Sequence, residues 1–161
     1  MVEMSVATVP SEPRRRTAST PVHCAQPLLH DFTVPEKDPA AVPEARRLLL
    51  SVVSAWELPL TAETLHDLEL LSGEAIANAV LHTTEPCSVR VRWTGALLRV
   101  EVTDAAPERP AQPDQEPYAE NGRGLLLIAS LAADWGCART ATGKTIWFEV
   151  MPADPAADWT S

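Results

Sequence analysis

Two short runs in which apolar and polar residues alternate constrain the fold of this chain more than any other feature. In the first run, Ser88–Trp93, every second residue from Val89 onward is apolar. The second run, Leu98–Asp104, alternates in the same way, and Thr94 and Gly95 lie between the two. A period of two residues is typical of a strand with one buried face. The pattern therefore predicts a β-hairpin that packs one face on the core.

The chain before this hairpin carries one strand pattern and two helical patterns. Pro39 suits the first helical position, and Thr61 suits an N-cap because its hydroxyl can accept a hydrogen bond from an early amide. Pro59 would end the first helix and Pro86 would end the second. The predicted elements are an edge strand at Leu28–Val34, a helix from the N-cap Asp38 to Trp56, and a helix from Thr61 to about Thr83.

The chain after the hairpin carries a third helical pattern and two further strands. The predicted elements are a helix at Gly122–Asp134 and strands at Gly136–Thr140 and Thr145–Val150, joined by a turn at Thr142–Gly143. Hairpin strands with helices gathered on one face give an α+β fold. We therefore expect a two-layer α/β sandwich in which a mixed, mostly antiparallel sheet is covered by helices on one side.

Proline-rich segments set the expected domain limits. Residues 1–26 are rich in Pro, Ser, Thr and Arg and are expected to form a disordered tail. The domain should span 27–151, and 152–161 should form a flexible C-terminal tail. Residues 105–120 hold four prolines among acidic residues, which predicts a loop without regular structure. A loop of this length inside a small domain is usually functional or disordered.

Composition excludes several classes of protein. The formal net charge is −9 and the basic residues are scattered, so direct binding of nucleic acid is not expected. No run of 18 or more apolar residues exists, and the N-terminus lacks the apolar stretch of a signal peptide, so we expect no membrane span and a cytoplasmic location. The three cysteines are widely spaced without a CxxC pair, which argues against a disulfide framework or a structural zinc site.

Three polar residues on the second predicted helix are candidates for chemistry. Glu74 and Asn78 are four residues apart and share a helix face, and His82 lies another four residues on. An amide oxygen of Asn78 could bind Mg²⁺ together with phosphate oxygens, and Glu74 could take a proton from a hydroxyl group or water. The alternative interpretation is that the three lie on the solvated side of an amphipathic helix.

Three further features follow in the chain. Asp104 shares the parity of the apolar residues in its strand and could accept a hydrogen bond from an amino group, or it could simply open a turn. Gly122, Arg123 and Gly124 open a helix, where free amides can bind phosphate, although a flexible connector would have the same composition. Gly143 and Lys144 fail the P-loop pattern, and Lys144 is interpreted as a hairpin-turn residue that could lie near phosphate.

The order and spacing of these features resemble the GHKL ATPases. Glu74–His82 resembles their N-box, and Val100–Asp104 resembles the strand and aspartate of their next box. Asn121–Leu125 is similar to the glycine box that follows the ATP lid, and Gly143–Trp147 is similar to the closing hairpin. Within this superfamily the chain resembles the small anti-sigma-factor serine/threonine kinases of the RsbW and SpoIIAB type, over roughly 28–150.

The resemblance implies a Bergerat fold that binds ATP and Mg²⁺ between the helical layer and a lid. It implies that Glu74 is the general base, that Asn78 holds Mg²⁺, and that Asp104 recognises adenine. The other cofactor-binding residues that it implies are Gly122, Arg123, Gly124 and Leu125 at the phosphates, Thr145 at the back of the adenine pocket, and His82 near the lid hinge.

The resemblance also implies a function and partners. It implies a serine/threonine protein kinase that acts as an anti-sigma factor, forms a homodimer, and phosphorylates a serine on an anti-anti-sigma partner of the STAS type. The chain departs from the family at Ala105, Ala106 and Pro107, where Asp-x-Gly-x-Gly is common. Losing these glycines stiffens the lid hinge. The alternatives are a non-catalytic module that binds nucleotide or sequesters a partner, and a plain ATPase.

Overall fold

The computed structural model describes residues 26–35, 38–83, 85–105 and 122–153. For residues 82 and 122–125 it describes the backbone alone. The predicted N-terminal tail up to residue 25, the loop from residue 106 to residue 121, and the C-terminal residues 154–161 lie outside the described part of the chain.

Within the described residues, five strands form one sheet in the order β1-β2-β3-β5-β4. All four pairings between neighbouring strands are antiparallel, so no parallel pair of the mixed sheet that we expected occurs among the described residues. The predicted strands are confirmed to within two residues at each end. Their bounds are Leu28–Val34 for β1, Cys87–Trp93 for β2, Leu98–Asp104 for β3, Asp134–Arg139 for β4 and Lys144–Val150 for β5.

The described part of the chain contains three helices beside the sheet, and two of the predicted bounds need correction. The helices are α1 at Ala41–Ala55, α2 at Ala62–His82 and α3 at Gly122–Leu131. The first helix does not begin at Pro39, because the Asp38 carboxylate accepts the Ala40 amide at 2.9 Å and holds a turn there. The third helix ends before Asp134, which is the first residue of β4.

The N-cap of α2 is the one that the sequence predicts. The Thr61 hydroxyl accepts a hydrogen bond from the Thr64 amide at 3.0 Å. Such a cap satisfies one of the amides that a helix start leaves without an intrahelical partner, and is worth about 1 kcal/mol. The cap fixes where α2 begins, and the buried residues of the helix orient its C-terminal half on the sheet.

The alternation of the central strands divides the sheet into a covered face and an open face. Every second residue of β2 and β3 is buried against the helices, and the residues between them are exposed or partly exposed. Leu68, Leu71 and Ile76 of α2 are fully buried in the same core. The α+β fold, with a five-stranded sheet and helices on one face, is therefore confirmed.

The open face is a polar surface with one aromatic residue. The Arg99 guanidinium lies 3.9 Å from the centre of the Trp147 ring and also contacts Glu101 and Glu149 at 2.7 and 3.0 Å. The indole lies over Gly136, where an added Cβ would be 2.7 Å from ring atoms. Gly136 therefore makes room for the Trp147 ring on this face.

Candidate nucleotide site

The C-terminal half of α2 presents a small polar face beside a fully buried one. Ala75 and Ala79 are buried in the core, at 0% and 3% exposure, and their small side chains allow the helix to lie close to the sheet. Glu74 is exposed and Asn78 is partly buried. Because Glu74 and Asn78 are one turn apart, the helix offers a solvent-accessible carboxylate next to a partly buried amide.

The Asn78 amide oxygen is a buried polar atom without a partner in the described part of the chain. Its Oδ1 is shielded from solvent and accepts no hydrogen bond from any described group. A buried acceptor left in this state costs about 1–3 kcal/mol. An amide oxygen is a suitable ligand for Mg²⁺, which prefers oxygen and usually binds through one or two protein groups plus phosphate and water. Asn78 therefore fits the metal-binding role that the resemblance implies.

Asp104 is the most deeply buried carboxylate among the residues that the structure describes, at 2% exposure. It is the last residue of β3 and lies on the covered face. The backbone amide of Lys144 donates to its Oδ1 at 3.3 Å, and the Lys144 ammonium is 3.7 Å from Oδ2. A buried carboxylate needs such compensation because its desolvation is costly. The arrangement provides a fixed hydrogen-bond acceptor at the end of the sheet.

The turn before β5 packs directly on Asp104. A Cβ added to Gly143 would be 2.0 Å from the Asp104 carbonyl oxygen and 2.9 Å from its Oδ1. The turn is closed by a bond from the Thr140 amide to the Gly143 carbonyl at 2.8 Å and by a bond from the Gly143 amide to the Thr140 hydroxyl at 2.9 Å. The missing side chain at Gly143 therefore allows the turn to approach Asp104.

Two thiols share the electrostatic environment of Asp104. Burial, together with the negative charge of Asp104, raises the pKa of the Cys87 thiol to about 11. Burial also raises the pKa of Cys137, against the opposing effect of the Lys144 charge. Both cysteines are free, as the wide spacing in the sequence predicts. Both thiols therefore stay protonated at neutral pH, and neither is an activated nucleophile.

Thr145 lies on the opposite face of the sheet from Asp104. Its hydroxyl hydrogen-bonds the Thr103 hydroxyl at 2.8 Å, and these two residues are directly opposite each other in the β3–β5 register. Since side chains alternate between faces, Lys144 lies on the same face as Asp104 and Thr145 does not. The register therefore separates Thr145 from Asp104, and the position that the resemblance implies for Thr145 at the back of the adenine pocket stays a prediction.

The remaining predicted residues are placed by their backbone alone. His82 is the last residue of α2, and Gly122–Leu125 form the first turn of α3. The first turn of a helix carries amides without intrahelical partners, and its positive dipole end favours an anion. The backbone of this turn is therefore suited to phosphate. Arg123 lies in the same turn. The side chains of these residues lie outside the described part of the chain.

The contacts that Gly143 and Lys144 make with Asp104 are not among the features that the sequence predicts. Lys144 was expected in a turn, but it is the first residue of β5 and faces Asp104. One signal in the sequence could have revealed this, because Lys144 shares the parity of the buried residues Ile146 and Phe148. The contact between Gly143 and Asp104 has no such signal, because it depends on which strand pairs with β3.

The described residues lack both a membrane-spanning helix and a cluster of metal-ligating side chains. No described helix is both long enough and apolar enough to cross a bilayer. No group of three or more His, Cys, Asp or Glu side chains within the described ranges could hold a metal ion. A Mg²⁺ ion near Asn78 would therefore take most of its ligands from phosphates and water, as is usual for this ion.

Comparison with known proteins identifies the family. A search of curated proteins finds no significant match. The family model described as the histidine kinase-like ATPase domain matches residues 36–150, which is most of the chain and contains every predicted site residue. The match agrees with the five-stranded antiparallel sheet and its helical layer. This chain therefore belongs to the histidine kinase-like ATPase domain family, of the GHKL type.

Proposed function

We propose that this protein is an ATP-binding serine/threonine protein kinase that acts as an anti-sigma factor and phosphorylates a serine on an anti-anti-sigma partner of the STAS type. The observation that carries the proposal is the unsatisfied Asn78 amide oxygen, one helical turn from the exposed carboxylate of Glu74. Family membership supports ATP binding. The sigma factor and the STAS acceptor rest on the resemblance to the RsbW and SpoIIAB type.

Nucleotide binding divides among three elements. The Asp104 carboxylate accepts a hydrogen bond from the adenine amino group at the end of β3. The free amides of the first turn of α3 bind phosphate oxygens. Asn78 holds Mg²⁺, which when bound neutralises phosphate charge. The chemistry of each group suits its role. The carboxylate accepts from an amino group, the backbone amides donate to phosphate oxygens, and the Asn78 amide supplies an uncharged oxygen ligand for the metal.

Phosphoryl transfer then requires a positioned acceptor and a base. The acceptor serine Oγ forms a bond to the γ-phosphorus while the bond from that phosphorus to the bridging oxygen breaks, so that ADP leaves. The serine proton passes to the Glu74 carboxylate. The exposure of Glu74 supports this role, because a protein acceptor must reach the base from outside.

Transfer of labelled phosphate from ATP to a purified STAS-domain partner tests the proposal. Glu74→Gln removes the base while keeping size and hydrogen bonding, and we expect labelling to fall by about 10²-fold or more. Glu63→Gln is the matched control, because Glu63 is exposed on the same helix and lies about 16 Å along its axis from Glu74. Equal labelling by both variants would exclude Glu74 as the base.

A non-catalytic module that sequesters a partner is the second candidate. It is favoured by the hinge sequence Ala105-Ala106-Pro107, where the family often has two glycines. A stiffer hinge slows closure of a lid without preventing nucleotide binding. Calorimetry with Mg-ATP separates the two functions, because binding without any transfer supports the module, and no binding at millimolar ATP excludes the kinase.

A further inference from the structure

Lys144 occupies a position that the proposed chemistry does not use. Asp104 and Lys144 are directly opposite each other at the ends of β3 and β5. The side chain of Lys144 is 33% exposed and that of Asp104 is 3% exposed. The Lys144 side chain is therefore partly buried, beside the carboxylate to which the proposed function assigns recognition of adenine.

The Lys144 ammonium lies too far from the Asp104 carboxylate to form a short hydrogen bond with it, so its N–H donors remain available to a ligand. The Lys144 Nζ is 3.7 Å from Asp104 Oδ2. A charge-assisted hydrogen bond between such groups is about 2.7–2.9 Å long. An ammonium has three donors, so this separation balances the charge of the carboxylate without committing every donor to it. A hydrogen-bond acceptor and a hydrogen-bond donor thus stand side by side.

The backbone fixes this pair in place. The Lys144 amide donates to Asp104 Oδ1 at 3.3 Å. The preceding turn is closed by two hydrogen bonds between Thr140 and Gly143, at 2.8 and 2.9 Å, and it packs against the main chain of Asp104. Because moving the start of β5 away from the end of β3 would break the Lys144 amide bond and the packing of Gly143 on Asp104, the pair is preorganised for a ligand.

We propose that Lys144 is a second base-recognition residue, whose ammonium donates to a ring nitrogen of adenine while Asp104 accepts from the exocyclic amino group. The inference rests on the proposed function, because it takes ATP as the ligand. Adenine fits the pair because its amino group is flanked by two ring nitrogens, N1 and N7, that accept hydrogen bonds. A base that lacks the flanking nitrogen leaves the ammonium desolvated and without its partner, and such sites discriminate strongly.

Calorimetry of full-length protein with Mg²⁺ and three nucleotides tests this role. The nucleotides are ATP, 1-deaza-ATP and 7-deaza-ATP, each titrated into wild type, Lys144→Met and Lys144→Arg. We expect Lys144→Met to bind ATP about tenfold more weakly, because a hydrogen bond from a charged donor is lost. Lys144→Arg keeps the charge and donors and should bind within about threefold of wild type. For the deaza analogue that lacks the partner nitrogen, wild type and Lys144→Met should bind equally.

Three results would overturn the inference in distinguishable ways. Lys144→Met binding ATP as tightly as wild type would leave the lysine only a counter-ion of Asp104. An equal loss for ATP and for both deaza analogues would mean that the charge acts on the phosphates. Failure of wild type to bind ATP at millimolar concentration would overturn the proposed function and this inference with it.

Lys144→Gln keeps a hydrogen-bond donor without a charge and replaces Lys144→Met if the latter does not fold. Its affinity for ATP should fall by about threefold or more, and its affinity for the deaza analogue that lacks the partner nitrogen should equal that of wild type.

Discussion

Gly143 packs so closely on the main chain of Asp104 that no side chain fits between the two residues. A Cβ on Gly143 would be 2.0 Å from the Asp104 carbonyl oxygen and 2.8 Å from its carbonyl carbon. Glycine is required there by contact and not by backbone conformation, because among the described glycines only Gly95 has a positive φ, at 92°. The Asp104 carboxylate and the turn that leads into β5 are therefore placed together.

Gly143→Ala is expected to destabilise the protein by about 1–3 kcal/mol, because the new methyl group must push the turn away from Asp104. Gly73→Ala is the matched control. A Cβ at Gly73 would lie 3.5 Å from atoms of Arg46, which is ordinary contact, and alanine favours the interior of α2 by about 1 kcal/mol. Urea unfolding of the two variants checks the opposite signs, and equal stability of the Gly143 variant and wild type would contradict the packing described.

Asn78→Leu is expected to separate stability from ligand binding. It removes a buried oxygen without a described partner, so the ligand-free protein should be as stable as wild type or more stable by about 1 kcal/mol. The variant should nevertheless lose the rise in unfolding temperature that Mg-ATP gives to the wild type. Differential scanning fluorimetry with and without Mg-ATP measures both effects.

Ser72→Ala provides the control for that experiment. Ser72 is fully buried on the same helix, and its hydroxyl also lacks a described partner. This variant should be more stable by a similar amount and should keep the full response to Mg-ATP. If both variants kept the response, Asn78 would have no part in binding.

Thr145→Val is expected to leave nucleotide affinity within about twofold of wild type. The Thr145 hydroxyl bonds Thr103 on the open face, so its loss should cost about 1 kcal/mol of stability and should not touch a ligand beside Asp104. Thr103→Val should have the same effect on stability. A tenfold loss of ATP affinity in the Thr145 variant alone would support the pocket position that the resemblance implies.

Cys87 should make the stability of the protein fall at alkaline pH. Burial, with the charge of Asp104, raises its pKa from the ordinary value of 9.0 to about 11. The folded state therefore holds a proton that the unfolded state releases, so the contribution is complete below pH 9 and is lost as the pH rises towards 11. The free energy of unfolding, compared between wild type and Cys87→Ala, should lose about 1 kcal/mol more in wild type between pH 8 and pH 10. Equal pH dependence would contradict the shift.

The features that the sequence predicts well are those that depend on neighbours in the chain. Alternation places Asp104 on the covered face, and helical spacing brings Glu74 and Asn78 to one side of α2. The Thr61 cap can be predicted because both of its partners, Thr61 and the Thr64 amide, lie at the start of the same helix. The predicted start of α1 is wrong because an Asp side chain can either cap a helix or close a turn. Asp38 accepts the Ala40 amide in a turn, and α1 begins at Ala41.

The features that the sequence does not reveal depend on the pairing of β3 with β5. The Asp104 carboxylate and the Lys144 amide are 40 residues apart in the chain, with residues 105–121 and α3 between them. Shifting the register by one residue would put Thr145 opposite Asp104 and reverse the face of every side chain in β5. Identifying the residue that lies beside the Asp104 carboxylate therefore requires the three-dimensional structure.

Isothermal titration of Mg-ATP into wild type and two aspartate variants tests the central claim most directly. Wild type is expected to bind, and Asp104→Asn to bind at least about tenfold more weakly, because the amide offers one acceptor and repels the amino group with its own donors. Asp31→Asn is the control, since Asp31 is half exposed on the open face, where it pairs with Arg90, and its affinity should equal that of wild type. Absence of binding by wild type at millimolar ATP, or equal binding by Asp104→Asn, would contradict a nucleotide site at Asp104.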